Sequence, residues 1–376
     1  MSSAQAWAAL PFHFWSALFF LVGSMVGSFL NVCIHRMPRA ESLVVPGSHC
    51  PECRKPIPWY LNIPLVTWLH LRGRCRFCGA RISPRYFLVE LLTAGLFLAC
   101  WLVHAKTSAA LAVVYAVFLS SLVVATFIDF EHFIIPDTIT LGGLAAGFLG
   151  SFLVPGLHGV ASPVASLQRC VLGAAVGGGS IYAFLRLGKL LFGRQRFRLP
   201  PQSRVVFLET GLALPDQAIG YEDLFYRKSD AIVLQAQRVE MVDRCYWDVP
   251  VRLTQRTLEI GEEAFNPEEV PCLEVITDEV VVPREAMGQG DVKFMAMVGA
   301  FLGWAGVVFS LLGSALLGSA VGITFILLHR RAWSSRIPYG PYIAVAATVW
   351  VFVGDALLKW YLPGAGGGLL PGTAVR

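Results

Sequence analysis

Charged side chains are scarce in this sequence. They make up 15% of the 376 residues, whereas hydrophobic residues make up 55%, and the mean hydropathy is +0.61. A soluble domain of this length needs charged residues along its whole surface, yet no Lys, Arg, Asp or Glu occurs before Arg36. The composition excludes an ordinary soluble protein and favours an all-α protein that crosses a lipid bilayer several times.

Acidic residues are almost absent outside one segment. Of the 25 Asp and Glu residues, 17 lie between Gly188 and Met287, which leaves a basic remainder. The Lys and Arg residues of that remainder stand in short clusters beside apolar runs, as in the cytoplasmic loops of membrane proteins. The net charge of +5 therefore does not indicate binding to nucleic acid, and no nucleic-acid partner is expected.

A membrane-spanning helix needs roughly 20 consecutive apolar residues. About eight spans are predicted, the sixth of them short, at residues 12–34, 86–103, 109–128, 138–154, 167–192, 294–304, 305–328 and 341–362. Nothing basic precedes the first apolar run, and no small-residue cleavage site follows it. We therefore expect a retained first span rather than a secretory signal that is removed.

The distribution of basic residues predicts the orientation. The loop at residues 35–85 carries nine basic and two acidic residues, which is typical of a cytoplasmic loop. Counting spans from this loop places the acidic segment and the cluster His329-Arg330-Arg331 on the cytoplasmic side. Both termini are then periplasmic, and the protein is expected in a bacterial inner membrane.

Four of the nine cysteines form two Cys-x-x-Cys pairs in the basic loop, Cys50 with Cys53 and Cys75 with Cys78. Each pair presents two thiolates on one side of a turn, and the linker lets the pairs close a tetrahedron, as in four-cysteine zinc sites. Because the protein supplies all four ligands, we expect a structural zinc that folds the loop. The alternative is four unrelated free thiols in a reducing compartment.

The acidic segment is interpreted as a small soluble insert. Alternating stretches at 204–208 and 231–234, separated by Pro, Gly and Asp, predict short β-strands. Cys245 and Cys272 match no metal-binding pattern and receive no role. The predicted organisation is a first transmembrane helix at 1–34, a cytoplasmic zinc-binding loop at 35–85, helices two to five at 86–192, a cytoplasmic insert at 193–287 and helices six to eight at 288–376.

Ionisable side chains in membrane spans are rare and costly, so each is a candidate functional residue. Five acids lie in or beside the predicted spans: Glu90, Asp129, Asp137, Asp291 and Asp355. Asp129 ends the third span, and Asp291 follows Gly288 and Gly290 in the motif Gly-Gln-Gly-Asp-Val-Lys, which ends at Lys293. Two carboxylates that meet across a helix interface share one proton, so one serves as a base on water and the other as an acid. Asp129 and Asp291 are therefore the candidate catalytic pair of an aspartic peptidase.

Other roles are open for these acids. Asp137 opens the fourth span, where a carboxylate caps free N–H groups. Asp355 stands four residues before Lys359, at the spacing of a local ion pair. Glu90 can reach the cytoplasmic interface and pair with Arg85 or with another basic residue of the zinc loop. Capping of the sixth helix is an alternative role for Asp291. Intramembrane acids also serve ion and proton pathways, and this alternative applies to both members of the candidate pair.

Several motifs follow one another along the chain. They are Gly-Ser-Phe-Leu-Asn-Val-Cys-Ile-His-Arg-Met-Pro at 27–38, both Cys-x-x-Cys pairs, Ile-Ser-Pro-Arg-Tyr-Phe-Leu-Val-Glu at 82–90, the segment from Asp129, Gly-Gln-Gly-Asp-Val-Lys at 288–293 and Ile-Pro-Tyr-Gly-Pro at 337–341. In this order they resemble the type IV prepilin peptidases, the leader peptidases of type IV pilus and type II secretion systems. The resemblance implies that Asp129 and Asp291 are the catalytic aspartates, with Gly288, Gly290 and Lys293 as supporting motif residues.

The resemblance also implies substrates and a second activity. The substrates are prepilin-like or pseudopilin precursors, in which a short basic leader ending in Gly precedes a hydrophobic helix. Many members of the family also methylate the new N-terminus with S-adenosylmethionine, and this activity is attributed to the part that carries the zinc loop. No residue pattern in the sequence identifies a site for this cofactor.

The insert departs from the family pattern, which has a short connection at this place. We expect either a gate for the substrate or a docking surface for pilus or type II secretion assembly proteins, and its acidic balance suits a basic leader. The alternative is a tolerated loop insertion without a direct role. Two other classes of function remain open: a carrier or proton-coupled transporter that uses the intramembrane acids, and a non-enzymatic assembly scaffold.

Overall fold

The computed structural model describes residues 11–192, 194–208, 210–215, 218–221, 224–225, 230–241, 244–270, 272–283, 288–328 and 338–361. The chain forms two compact units, Met1–Ile181 with Gln289–Arg376 and Tyr182–Gly288. The cluster His329-Arg330-Arg331 lies outside the described residues, and so do the side chains of Asp355 and Lys359 with their predicted ion pair.

The first unit is helical. The helices of the chain are α1 Phe12–Arg36, α2 Val66–His70, α3 Pro84–His104, α4 Ala109–His132, α5 Asp137–Leu153, α6 Pro163–Phe192, α7 Gln289–Leu327 and α8 Gly340–Tyr361. Five of them, α1, α3, α4, α6 and α7, are long and apolar enough to cross a membrane. Helix α5 and residues Gly340–Gly354 of α8 are shorter apolar helices. The predicted membrane protein is confirmed, and the count of eight spans stays a prediction.

Helix α7 contains both the sixth and the seventh predicted spans. Its backbone leaves the helical conformation at Gly303, where φ is 68° and ψ is 179°, so two helical segments meet at a sharp break. This φ is accessible to glycine without strain. The sequence-based division, between Trp304 and Ala305, lies within two residues of the break.

A buried histidine flanks this break. The ring of His158, which is 5% exposed, lies 3.1 Å from the Ser151 hydroxyl and hydrogen-bonds the backbone at Ala300, one turn before Gly303. A helix break leaves carbonyl groups without their usual partners, and an imidazole N–H satisfies such a group. Burial lowers the pKa of His158 to about 4, so the ring is neutral at physiological pH.

Helix α4 lies at the centre of the first unit. It contacts α1, α3, α5 and α8. Phe118 of α4 stacks on Phe301 of α7, with the ring centroids 4.5 Å apart. Tyr115, Leu122 and Ile128 are also buried along α4. This packing fixes the C-terminal end of α4, where Asp129 lies.

Helices α6 and α7 approach each other through glycines. A Cβ atom added at Gly173 would lie 2.1 Å from the Gly299 carbonyl oxygen, and one added at Gly299 would lie 2.0 Å from the Gly173 carbonyl oxygen. Small residues at a crossing let membrane helices pack backbone against backbone. The contact holds the first segment of α7, which begins with the Asp291 motif.

The second unit is an antiparallel sheet with the strand order β3-β2-β1-β8-β4-β5-β6-β7. The strands are β1 Arg194–Phe207, β2 Gly211–Ala213, β3 Ala218–Gly220, β4 Ile232–Glu240, β5 Cys245–Leu253, β6 Leu258–Ile260, β7 Glu263–Phe265 and β8 Leu273–Pro283. Buried and exposed side chains alternate along β4 and β8, and the buried ones, such as Leu234 and Val280, form an apolar core. The β-rich prediction is confirmed, but the long strands were not predicted. Strand β1 reaches 14 residues because it continues past a register shift between Arg198 and Ser203.

Candidate active site and metal centre

The four predicted zinc ligands lie together. The Sγ atoms of Cys50, Cys53, Cys75 and Cys78 all lie within 4.8 Å of one another, and those of Cys50 and Cys78 are 3.8 Å apart. Zinc–sulfur bonds of about 2.3 Å in a tetrahedron place sulfur atoms about 3.8 Å apart. Backbone N–H groups of Cys78 and Phe77 hydrogen-bond the Cys75 sulfur and lower the pKa of this thiol, which favours the thiolate form that binds metal. The donor set therefore fits a tetrahedral zinc ion.

The two Cys-x-x-Cys pairs share one backbone conformation. The N–H of Arg54 donates to the Cys50 carbonyl at 2.8 Å, and the N–H of Gly79 donates to the Cys75 carbonyl at 3.0 Å. Both donors, which directly follow the second cysteine of a pair, have left-handed backbones, with φ of 57° and 72°. The repeated turn is local, which is why sequence spacing alone predicted the cluster.

A buried carboxylate attaches the loop to α3. The Oε2 atom of Glu90 accepts a hydrogen bond from the backbone N–H of Leu65 at 2.7 Å. The predicted pairing of Glu90 with Arg85 is wrong, because Arg85 forms its ion pair with Glu131 at the end of α4. The physical reason is burial: Glu90 faces the loop from within the helix packing, whereas Glu131 is exposed beside the arginine. Two separate contacts thus join the N-terminal end of α3 to its surroundings.

Asp129 lies in the last turn of α4 and is 5% exposed. Its Oδ2 atom accepts a hydrogen bond from the backbone N–H of Gly340, the first residue of α8, at 2.9 Å. A Cβ atom added at residue 340 would lie 2.7 Å from the same oxygen, so the close contact depends on glycine. The first N–H groups of a helix lack helical partners and carry partial positive charge, so the start of α8 stabilises a carboxylate here.

Asp291 lies in the first turn of α7 and is 9% exposed. A Cβ atom added at the preceding Gly290 would lie 3.3 Å from Ile135 Cβ, and one added at Gly340 would lie 3.1 Å from Ile135 Cδ1. Burial, together with the negative charge of Asp291, raises the pKa of the Tyr339 phenol. The segments of both predicted acids therefore border Ile135 and the turn Tyr339-Gly340, at one end of the helical unit.

Lys293 binds a third acid at this end of the unit. Its Nζ atom lies 2.6 Å and 2.7 Å from the two carboxylate oxygens of Asp137. Asp137 lies in the first turn of α5, as predicted for an acid that caps this helix, but Pro136 is the N-cap residue and the carboxylate of Asp137 binds Lys293. The ammonium group is the stronger partner for a carboxylate. The pair joins the start of α5 to the first turn of α7.

Sequence reasoning assigned no role to Ile135, Tyr339 or Gly340. The motif Pro-Tyr-Gly-Pro contained a signal, since Gly followed by Pro at a helix start marks a free N–H group without a side chain. Nothing in the sequence indicates which carboxylate this N–H meets, because Asp129 lies 211 residues away.

Two family models match the chain. The model of the Bacterial Peptidase A24 N-terminal domain matches residues 21–104, and that of the Type IV leader peptidase family matches residues 116–197 and 272–323. The second match is interrupted at residues 198–271, which contain strands β2 to β7. No solved structure matches the chain.

Three similar proteins share one name. A prepilin leader peptidase/N-methyltransferase of Aeromonas hydrophila is 32% identical over 381 residues, covering 94% of this chain and 95% of the relative. Proteins of the same name from Pseudomonas aeruginosa and Myxococcus xanthus are 27% identical over 380 residues and 40% identical over 191 residues. The Pseudomonas aeruginosa match covers 92% of this chain and 93% of the relative. The Myxococcus xanthus match covers 50% of this chain and 54% of the relative. The chain belongs to the type IV leader peptidase family.

Proposed function

We propose that the chain is a membrane-embedded aspartic endopeptidase that cleaves the leader of type IV prepilin-like or pseudopilin precursors after Gly. Asp129 and Asp291 form the catalytic pair, and cleavage occurs at the cytoplasmic face of the bacterial inner membrane. The insert lies on the same side, and both termini are periplasmic. The names of the relatives and the excess of basic residues in the loop at 35–85 support this assignment.

One observation carries the proposal. Asp129 and Asp291, separated by 162 positions in the sequence, are both buried, and their segments border the same isoleucine and the same turn at the start of α8. Buried carboxylates in a membrane protein are costly unless they have a function. A structural role needs one acid at this helix start, whereas peptide hydrolysis needs two.

The chemistry follows from one proton shared by the pair. The ionised carboxylate removes a proton from water, and the water oxygen forms a bond to the peptide carbonyl carbon. At the same time the protonated carboxyl group donates its proton to the carbonyl oxygen. The tetrahedral diol collapses when the C–N bond breaks. The leaving amine then takes a proton from one carboxyl group, the diol returns a proton to the other, and the pair again holds one proton.

The hydrophobic helix of the precursor binds in a groove on the side of the helical unit. The groove, of about 550 Å³, is lined mainly by apolar side chains of α1, α4 and α5, with Phe97 of α3, and extends along α1 from Leu18 to Met37, the residue that follows this helix. That length is roughly 28 Å, close to the thickness of a hydrocarbon core. One end reaches Thr138, next to Asp137 and its partner Lys293. A helix seated there brings the preceding peptide bond towards the acids.

Two bound groups complete the proposal. The four cysteines hold a structural zinc ion that orders the loop, and S-adenosylmethionine serves a second, N-methylating activity. When bound, this cofactor supplies an electrophilic methyl group.

The sheet unit is either a substrate gate or a docking surface for pilus or type II secretion assembly proteins.

The experiment that tests the catalytic pair measures cleavage of a synthetic precursor by mass spectrometry. We expect Asp129→Asn and Asp291→Asn each to lower the rate at least about 100-fold, because each removes a proton-transfer group. The matched control is Glu131→Gln, which removes an exposed acid two residues from Asp129 and should retain cleavage. Zinc content and helicity monitor folding, and normal cleavage by either aspartate variant would exclude the pair.

A further inference from the structure

An uncharged stretch separates the two cysteine pairs. No Lys, Arg, Asp or Glu occurs at residues 56–71, here named the apolar segment, whereas Arg54 and Lys55 precede it and Arg72 and Arg74 follow it. The segment is shorter than the roughly 20 residues that a membrane-spanning helix needs. Both of its ends return to one place, because the Sγ atoms of the four cysteines lie within 4.8 Å of one another. The segment is therefore a closed apolar loop on a basic base.

The apolar segment lies alongside the membrane-spanning helices and not beyond their ends. The N–H of Leu65 donates to the Oε2 atom of Glu90 in α3 at 2.7 Å. Gly27 of α1 is level with Glu90, since a Cβ atom added there would lie 2.7 Å from the Glu90 Cα atom. Gly27 stands nine residues before Arg36, the last residue of α1, which corresponds to roughly 14 Å along the helix axis. Leu65 thus reaches the apolar middle part of α1.

Further contacts place the segment at the same depth. Asn62 and Pro64 border a cavity of about 340 Å³ together with residues of α1 between Met25 and Arg36. The Trp68 ring stacks on the Phe87 ring of α3, with the centroids 5.1 Å apart. One side of the apolar segment is therefore packed against α1 and α3 below the points where these helices reach the loop.

The other side of the segment is exposed and apolar. Val66 and Leu69 are three positions apart on α2 and share one face of this helix. Large apolar side chains in this number are unfavourable in water, and Trp and Tyr are typical of the boundary between a bilayer and water. The exposed side chains are Trp59, Tyr60, Ile63, Val66 and Leu69.

The backbone of the segment is also suited to a bilayer. Polar backbone groups need protein partners where water is absent. Three residues of the segment are prolines, which have no N–H group. Local bonds occupy the N–H groups of Leu61, Asn62, Thr67 and Leu69. The Glu90 carboxylate bonds the N–H of Leu65, which accounts for a buried acid that the catalytic pair does not use.

We infer that the apolar segment is a re-entrant loop, which enters the bilayer from the side at which α1 ends and returns to that side. Its exposed face lies against lipid acyl chains, because a soluble protein does not reach the depth of Leu65. The cysteine cluster closes the base of the loop. The basic residues on either side of the segment place this base among the lipid phosphate groups. The inference does not depend on the proposed catalytic pair.

The depth of the segment is measured by electron paramagnetic resonance in vesicles of phosphatidylethanolamine and phosphatidylglycerol. A genetically encoded spin-labelled amino acid replaces one exposed residue at a time, and only preparations with unchanged zinc content are compared. The positions are Tyr60 in the apolar segment, Leu92 on α3 and Phe77 between the second pair of cysteines. Tyr60 and Phe77 are matched, since both are exposed aromatic residues of the same loop.

Two relaxing reagents distinguish lipid from water. Oxygen concentrates in lipid, whereas a nickel chelate stays in water. We expect the ratio of nickel to oxygen accessibility to be at least about fivefold lower at Tyr60 than at Phe77, and similar at Tyr60 and Leu92. Equal ratios at Tyr60 and Phe77 would overturn the inference. A label at Tyr60 that is shielded from both reagents would reveal a protein contact and would overturn it as well.

A charge on the exposed face provides a second test. Val66 of the apolar segment and Val233 of strand β4 are both exposed valines. A carboxylate is tolerated in water but is costly among acyl chains. At pH 8 we expect Val66→Glu to raise the nickel accessibility of a label at Tyr60 at least about threefold, and Val233→Glu to leave it unchanged. Equal accessibility in the two variants would contradict a re-entrant loop.

Discussion

Lys293 and Asp137 form a two-point contact between segments that are 156 residues apart, with both carboxylate oxygens within 2.7 Å of the ammonium nitrogen. Both side chains are partly exposed, so the pair adds little to global stability, on the order of 1 kcal/mol or less. Its position matters more, since Lys293 stands two residues after Asp291. The contact sets the angle at which the first turn of α7 presents that acid.

A charge exchange tests this positioning role. We expect Lys293→Met to lower the cleavage rate about tenfold while the melting temperature changes little, because Asp291 loses its orientation and not its chemistry. The double variant Asp137→Lys/Lys293→Asp restores the contact and should recover most of the rate. Failure of the exchange to recover any rate would show that the lysine acts in another way.

The contact of Gly340 with Asp129 leads to a second prediction. Alanine at position 340 would place its Cβ atom 2.7 Å from Asp129 Oδ2, which forces the carboxylate or the start of α8 to move. We expect Gly340→Ala to lower kcat about 100-fold, since a shift of about 1 Å in a catalytic group has effects of this size. The control is Gly179→Ala, where an added Cβ atom meets nothing within 4 Å. An unchanged kcat in Gly340→Ala would contradict a catalytic role for Asp129.

These two contacts mark the limit of what the sequence predicts. The zinc cluster was predictable because its geometry is set by turns of four residues, and the helices were predictable from apolar runs. The meeting of Asp129 with the start of α8 depends instead on how α4, α7 and α8 pack, which no local pattern encodes. For the same reason Asp137 was assigned to its own helix end, although its partner is Lys293.

Metal removal should affect the loop rather than the catalytic step. We expect a chelator to release one zinc ion per chain and to make residues 50–78 sensitive to protease, because the loop has little apolar core of its own. Cys75→Ser should have the same effect, whereas Cys245→Ser, an exposed cysteine outside the cluster, should retain the zinc. A metal-free protein with a protease-resistant loop would contradict a structural zinc.

His158 predicts a pH dependence of stability. Its pKa is lowered to about 4 in the folded protein, against an ordinary value of 6.5. Between these values the unfolded chain binds more protons than the folded one, so stability is full above pH 6.5 and falls as the pH decreases towards 4. The loss is about 3 kcal/mol at most. His158→Gln should lack this part of the acid destabilisation, which melting curves of the detergent-solubilised protein at pH 7, 5.5 and 4.5 would measure.

The groove along α1 makes the proposed substrate path testable through two glycines. A Cβ atom added at Gly142 in the groove, or at Gly95 on α3 outside it, meets no atom within 4 Å, so both positions have open space beside the backbone for a leucine side chain. If the precursor helix lies in the groove, Gly142→Leu should raise KM at least tenfold with little change in kcat. The leucine side chain would obstruct binding of the helix but would not alter the catalytic aspartates. Gly95→Leu should behave as the unmodified protein. A short peptide that ends before the hydrophobic helix should be cleaved equally by both variants, since it never enters the groove. Equal KM values for the full precursor would mean that lipid alone fills this groove.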